Sequence, residues 1–347
     1  MIDFADLDMM ARGGAIALLT LWSWLLVRDH WQAQPARVAV CMNVAIICHV
    51  IATISGPVHN IAHTPIDVIT ELGSAAVPGF FWLFARTWFN DETCIGWRSW
   101  SLILIAVLIV AAQIVIFERD GAGSFVLAAL LRTMMFGFAV AGLWAAWQGR
   151  EGDLVEARRR LRAALVGAVG AYVILTNGAE IGVYLGVVGD QARTLIEFGI
   201  VGLTFAFCAK MFVIGQNDLF ASTRVPTPSA SPIDDPLANR LLAFMEHQKP
   251  HRDETLTIAA LAAQLGEQEY RLRRLINGQL GYRNFATFLN GYRLSEVKAA
   301  LTDPSQRDVP ILTIALDAGF GSLGPFNRAF REAEGMTPSA FRATLLT

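Results

Sequence analysis

Four cysteines in 347 residues, none of them in a CxxC pair, leave no disulfide framework and no cysteine metal site to read. Cys41, Cys48 and Cys208 fall inside long apolar runs, and Cys94 lies between two of them. Charge is equally sparse. Asp, Glu, Lys and Arg make up only 17% of the chain and nearly cancel, leaving a net charge of -2. The bulk positive field that draws many proteins onto nucleic acid is therefore missing. Also missing are a GxSxG elbow, a GxxxxGK[ST] phosphate loop and an HExxH zinc helix. The expectation is a protein that is not an enzyme and carries no cofactor.

What the chain has in excess is apolar surface. Its hydrophobic share is 54% and its mean hydropathy +0.43, well above what a soluble chain of this length needs. The surplus sits in the first 215 residues, as seven runs near the roughly 20 residues that cross a 30 Å hydrocarbon core. They lie at 13 to 31, 37 to 55, 66 to 89, 99 to 117, 124 to 147, 163 to 187 and 193 to 214. The first is the weakest, cut short by Arg28 and Asp29, and Asp3, Asp6 and Asp8 replace the basic start of a cleaved signal peptide.

Loop charge gives an expected orientation. Arg28 and Arg37 flank the first loop, Arg86 and Arg98 the third, and the fifth holds Arg150, Arg158, Arg159, Arg160 and Arg162. The second loop has no Lys or Arg, the fourth only Arg119 and the sixth only Arg193. The positive-inside rule then places the N-terminus outside and the C-terminus in the cytoplasm. Residues 216 to 236 lose periodicity and gather Pro226, Pro228, Pro232 and Pro236 among Ser and Thr, which reads as a semi-extended linker. An ordered loop packed on its neighbour is the alternative.

Beyond the linker one pattern occurs twice. Leu261-Ala262-Ala263-Gln264-Leu265-Gly266 returns 53 residues on as Ile314-Ala315-Leu316-Asp317-Ala318-Gly319, and an amphipathic helix follows each copy. At 100° per residue, Leu272, Leu275 and Ile276 lie on one side of the first such helix, with Tyr270, Arg273, Arg274 and Asn277 on the other. In the second, Phe326, Ala329 and Phe330 face inward, and Gly324, Asn327, Arg328 and Arg331 face out. A solvated helix face would explain one such stripe. Two in phase, each behind a glycine turn, favour duplex DNA, whose guanine edges and phosphates take arginine donors.

From Leu256 to Phe341 the chain resembles the AraC-type transcription regulators. The resemblance rests on Leu261-Ala262, Leu272-Arg273-Arg274, Gly281, Phe285, Tyr292-Arg293-Leu294, Ile314-Ala315, Gly319-Phe320, Phe326-Asn327-Arg328-Ala329-Phe330, Gly335 and Thr337-Pro338-Ser339-Ala340-Phe341-Arg342. It covers about a quarter of the chain and implies two helix-turn-helix units joined by a long helix. By resemblance the base-facing positions are Gln268, Glu269, Tyr270, Arg273 and Arg274 in the first unit, with Leu323, Gly324, Asn327 and Arg328 in the second. Many relatives carry polar side chains where Leu323, Gly324 and Pro325 stand, so readout by this helix is expected to rest on Asn327 and Arg328.

Ionisable groups inside the apolar runs need a separate account. With the orientation above, His49, Glu71, Arg132, Glu180 and Glu197, joined by Asn177, lie near the outer ends of their runs. They read either as an outward-open signal pocket or as a structural pairing of Arg132 with a glutamate. His59, His63, Asp67 and Glu71 share a four-residue interval, but Pro65 interrupts it, and Thr64 to Asp67 looks instead like a helix start with Thr64 as its cap, so no metal is expected. The nine tryptophans lie mostly near run ends, as in an aromatic belt, and Gly167, Gly170, Gly178, Gly182 and Gly186 read as helix-packing positions.

The expected fold is all-α, with a seven-helix transmembrane bundle over 1 to 215, a linker over 216 to 236 and a tandem helix-turn-helix domain over 237 to 347. The expected activity is promoter binding coupled to a signal at a bacterial inner membrane. Its expected partners are double-stranded promoter DNA, membrane lipid, RNA polymerase, an unknown signal and a second copy of the chain. The alternative is a transporter or channel with a regulatory or vestigial helix-turn-helix tail, which polar residues near the membrane midplane would favour.

Overall fold

Short polar side chains set the helix starts. Thr64 caps α3 (Pro65–Ala75) by accepting from the Asp67 N–H, while the Asp67 carboxylate accepts from the Thr64 N–H at 3.0 Å. This reciprocal pair, with Pro65 in the first turn, is the capping arrangement expected at this point of the sequence. The computed structural model describes residues 4–53, 64–89, 95–117, 121–184, 187, 199, 201–210 and 235–345, so His59 and His63 lie outside the described residues. These divide into two compact units, Met1–Arg150 with Ala157–Ser222, and Glu151–Glu156 with Thr223–Thr347.

The first unit contains α1 (Phe4–His30), α2 (Gln34–Ala52), α3, α4 (Val77–Phe89), α5 (Trp97–Phe117), α6 (Gly121–Gln148), α7 (Glu156–Tyr184) and α8 (Val201–Lys210). Only Ala76 separates α3 from α4, and together they make one span-length rod, Pro65–Phe89. Among the described residues, five rods are long and apolar enough to cross a membrane: α1, α2, α3 with α4, α5 and α6. The sixth expected run falls on α7, and the seventh contains α8, the rest of it lying largely outside the described residues. The all-α class stands, with no strand among the described residues.

Helix packing in this unit centres on Trp22, Leu83, Phe84, Trp88 and Phe89. Trp22 and Trp88 are thus core residues rather than belt residues, whereas Trp24, Trp97 and Trp144 are exposed. Among the described residues, close approach occurs at glycines outside the expected set. A Cβ at Gly73 would lie 2.6 Å from the Cys48 sulfur, and one at Gly142 would lie 2.7 Å from the Phe81 ring, whereas Gly167 faces open space and Gly170 makes only ordinary contact. Gly167 and Gly170 are therefore not sites of tight packing, and the surroundings of Gly178, Gly182 and Gly186 lie outside the described residues.

Arg158 and Arg162, counted above as loop charges, are fully buried on α7. Arg158 donates to the Trp88 carbonyl at 2.9 Å, and Arg162 donates to the Phe89 carbonyl and lies 4.6 Å from the Phe89 ring centroid. They satisfy the orphan carbonyls at the end of α4, where the helix dipole favours positive charge.

The second unit contains α9 (Pro236–Gln248), α10 (Ile258–Leu265), α11 (Glu269–Gly278), α12 (Phe285–Thr302), α13 (Ile311–Asp317), α14 (Leu323–Glu334) and α15 (Pro338–Leu345). Asp235, Thr257 and Asn284 cap α9, α10 and α12. Two apolar cores form here, and α12 serves both. Its first half gives Phe285, Phe288 and Leu289 to a core with Leu261, Leu272 and Ile276. Its second half gives Leu294, Val297 and Leu301 to a core with Ile314, Phe326 and Phe330.

Candidate nucleic-acid interface

Each recognition helix is aimed by the turn before it. After α10 the chain enters the left-handed region at Gly266, φ 66°, and the Glu267 N–H returns to the Ala262 carbonyl at 2.9 Å. α11 then buries Leu272, Leu275 and Ile276 against α10 and α12, which turns Gln268, Tyr270 and Arg274 outward as exposed side chains. The second unit repeats this with Gly319 at φ 96° and the Phe320 N–H bonded to the Ala315 carbonyl at 3.0 Å. Phe326 and Phe330 are fully buried; Leu323, Gly324, Arg328 and Arg331 are exposed, and Asn327 is half-buried. Pro325 sits in the first turn of α14, where its missing N–H breaks no helical bond.

Arg273 departs from the expected stripe. It is only 7% exposed, because a segment far away in sequence covers it. Its Nη1 donates to the Asp153 carbonyl and its Nη2 to the Glu151 carbonyl, both at 2.7 Å, while Nε donates to Glu269 at 2.7 Å. Helical phase puts Arg273 off the apolar face of α11. It gave no sign that residues 151 to 153 would lie there.

A polar cluster ties the two helix-turn-helix units together. Arg293 on α12 donates to the carbonyls of His251 at 2.7 Å and Asp253 at 2.8 Å. One turn on, Glu296 accepts from Arg252 at 2.9 Å and lies 2.7 Å from the Lys249 ammonium. Burial works to raise the Glu296 pKa, but hydrogen bonds from Arg252 and Lys249 outweigh it and hold the carboxyl at about 2. Burial pushes His251 down, against the pull of Glu296, and its ring stacks 5.6 Å from that of Tyr292. Gly319 closes the same junction, since a Cβ there would strike the His251 carbonyl and lie 2.7 Å from the Arg252 Cα.

A helix-turn-helix domain family matches residues 261–344. The probable transcription factor PqrA of Proteus vulgaris is 30% identical over 106 residues, which make up 30% of this chain and 83% of that protein. The chain belongs to the AraC family. The arabinose operon regulatory protein of Escherichia coli (strain K12) is 30% identical over 109 residues, 31% of this chain and 36% of that protein. The right origin-binding protein of the same organism is 32% identical over 92 residues, 26% of this chain, and the chain spans only 30% of its length. No solved structure matches.

The AraC-type domain thus brings Gln268, Tyr270 and Arg274 to the surface of one unit and Leu323, Gly324, Arg328 and Arg331 to that of the other. Reading the sequence missed Gly319 as a close-approach position, and it missed Glu296, whose signal is only the basic Lys249-Pro250-His251-Arg252 run that it partners. The residues of the expected signal pocket fare unevenly. His49 Nδ1 lies 2.7 Å from the Ser74 hydroxyl, three residues beyond Glu71 on α3, and Arg132 is exposed on α6. The side chains of Asn177 and Glu180, and all of Glu197, lie outside the described residues.

Proposed function

We propose that the chain is a membrane-embedded transcription regulator that binds duplex promoter DNA through its two AraC-type units. The observation that carries the reading is the pair of equivalent helices, α11 and α14, each seated by a buried apolar face and each presenting exposed arginine on the opposite side. Arginine at such positions is suited to guanine edges and to phosphate. A net charge of -2 does not oppose this, because base readout depends on local donors.

Membrane residence is supported by the outer surface of the first unit. Met10, Ile69, Leu104, Leu108, Trp144 and Ile174 are all exposed, on helices whose interiors are already filled. Apolar groups on this scale suit lipid better than water. The orientation given by loop charge puts the AraC-type domain on the cytoplasmic side, where promoter DNA, RNA polymerase and a second copy would be its partners. His49, Glu71, Arg132, Asn177, Glu180 and Glu197 remain the proposed route by which a membrane or extracytoplasmic signal acts.

The test is enrichment of duplexes from random-sequence DNA by the full-length protein in lipid nanodiscs. A recurrent bipartite sequence is the expected result. Enrichment that follows salt concentration but converges on no sequence would overturn the proposal.

A further inference from the structure

Glu151–Glu156 lies in sequence between α6 and α7, yet it belongs structurally to the C-terminal unit. Leu154 is buried in the first helix-turn-helix core beside Leu272 and Phe285. The Leu154 N–H donates to the Arg283 carbonyl at 3.0 Å, and the Phe285 N–H donates to the Gly152 carbonyl at 2.8 Å. Between them Asp153 and Asn284 form an antiparallel bridge. The Asp153 carboxylate bonds the Val155 N–H at 3.1 Å and so shapes the segment locally. A further partner is Arg273, which gives one terminal nitrogen to the Asp153 carbonyl and the other to the Glu151 carbonyl.

We propose that Glu151–Glu156 is an autoinhibitory strap that competes with DNA for Arg273. This rests on the DNA-binding reading above. A guanidinium reads guanine by directing two N–H donors at one base edge. Here each terminal nitrogen gives an N–H to the strap, Nε gives its own to Glu269, and the docked segment leaves the side chain only 7% exposed, so no base edge can approach it. The docked strap and a base contact by Arg273 therefore exclude each other. Leu154 and the hydrogen bonds named above anchor the strap, and these are what DNA or a pull from the helices on either side would have to displace. The chain supplies that pull directly, because the strap is continuous with α6 at one end and α7 at the other. A change in the spacing of those two helices would free Arg273 without any second messenger.

The test uses full-length protein in lipid nanodiscs, with its four native cysteines replaced by serine and carrying Asp153→Cys and Asn284→Cys. Bridged antiparallel residues have Cα atoms about 4.5–5.5 Å apart, within reach of a disulfide. The probe is the duplex enriched from random-sequence DNA by the reduced form. The disulfide should form on mild oxidation, weaken binding about tenfold or more, and release full binding on reduction. In the natural background Leu154→Pro, which removes both the apolar anchor and the N–H donor, should bind the same duplex more tightly than the unaltered protein. Adding Arg273→Ala should abolish that gain. Failure of the disulfide to form, equal binding by the oxidised and reduced forms, or no gain from Leu154→Pro would each overturn the strap. If no form of the protein enriches or binds a duplex, the DNA-binding reading fails and the strap falls with it.

Discussion

Arg328 and Arg252 show how two exposed arginines in one domain differ in purpose. Arg328 stands on the outer face of α14, whereas both Arg252 donors are directed at Glu296. Arg328→Ala should cost about 1 to 3 kcal/mol of specific DNA binding and leave thermal stability unchanged. Arg252→Ala should do the reverse, leaving DNA affinity intact and lowering stability by up to about 1 kcal/mol, as half-exposed ion pairs do. Titration and thermal melts on the two variants separate these outcomes. Glu296 adds a pH dependence of definite sign. Its folded pKa, about 2, lies below the ordinary 4.5, so its contribution is complete above pH 4.5 and is lost as pH falls through about 2. Amide exchange of α12 should speed up over that window, and Glu296→Gln should flatten the dependence.

Among the elements, the two turns look interchangeable in sequence and are not so in space. Gly266 and Gly319 both have positive φ and both end the first helix of their unit. A Cβ at Gly266 meets nothing within 4 Å, while one at Gly319 runs into the backbone of His251 and Arg252. Gly266→Ala should therefore cost only the left-handed penalty, about 1 to 2 kcal/mol. Gly319→Ala should add overpacking to that penalty and reach about 2 to 4 kcal/mol. Equal shifts in thermal midpoint would refute the distinction. The helices themselves were legible in the sequence, because a repeated 3.6-residue pattern marks α11 and α14 and a Thr-Pro-x-Asp start marks α3. Strap docking was not. Leu154 and Val155 are two apolar residues in a short charged stretch, and no periodicity reveals where such a pair is buried.

At the scale of the whole molecule, the proposed membrane topology is tested position by position. Reporter fusions active only outside the cell should work near residues 60, 121 and 190, and those near 93, 155 and 225 should behave as cytoplasmic. The docked strap supports part of this pattern, since it needs residues 151 to 156 on the same side as the AraC-type domain. An even number of crossings between them would satisfy that need, and the proposed topology has two there, at the expected runs 163 to 187 and 193 to 214. Fusions at 155 and 225 found on opposite sides would rule out both the seven-span count and the strap. Hydropathy located the rods but could not separate exposed from core tryptophans, because Trp22 and Trp88 differ from Trp24 and Trp97 only in what packs around them.

Because α12 seats Phe288 in one core and Val297 in the other, the offset between the two reading helices is not free to adjust. The Arg293 bonds to His251 and Asp253 lock the same junction from the side. The domain consequently acts as a gauge, measuring a length and a twist along the duplex as well as its bases. One base pair inserted between the two half-sites turns the second by about 35°, since B-DNA completes a turn in roughly 10–10.5 base pairs. Spacing variants of an enriched duplex should then lose affinity as sharply as base changes do. Inserting a full helical turn restores the facing but not the distance, and a helix that cannot stretch will not follow it.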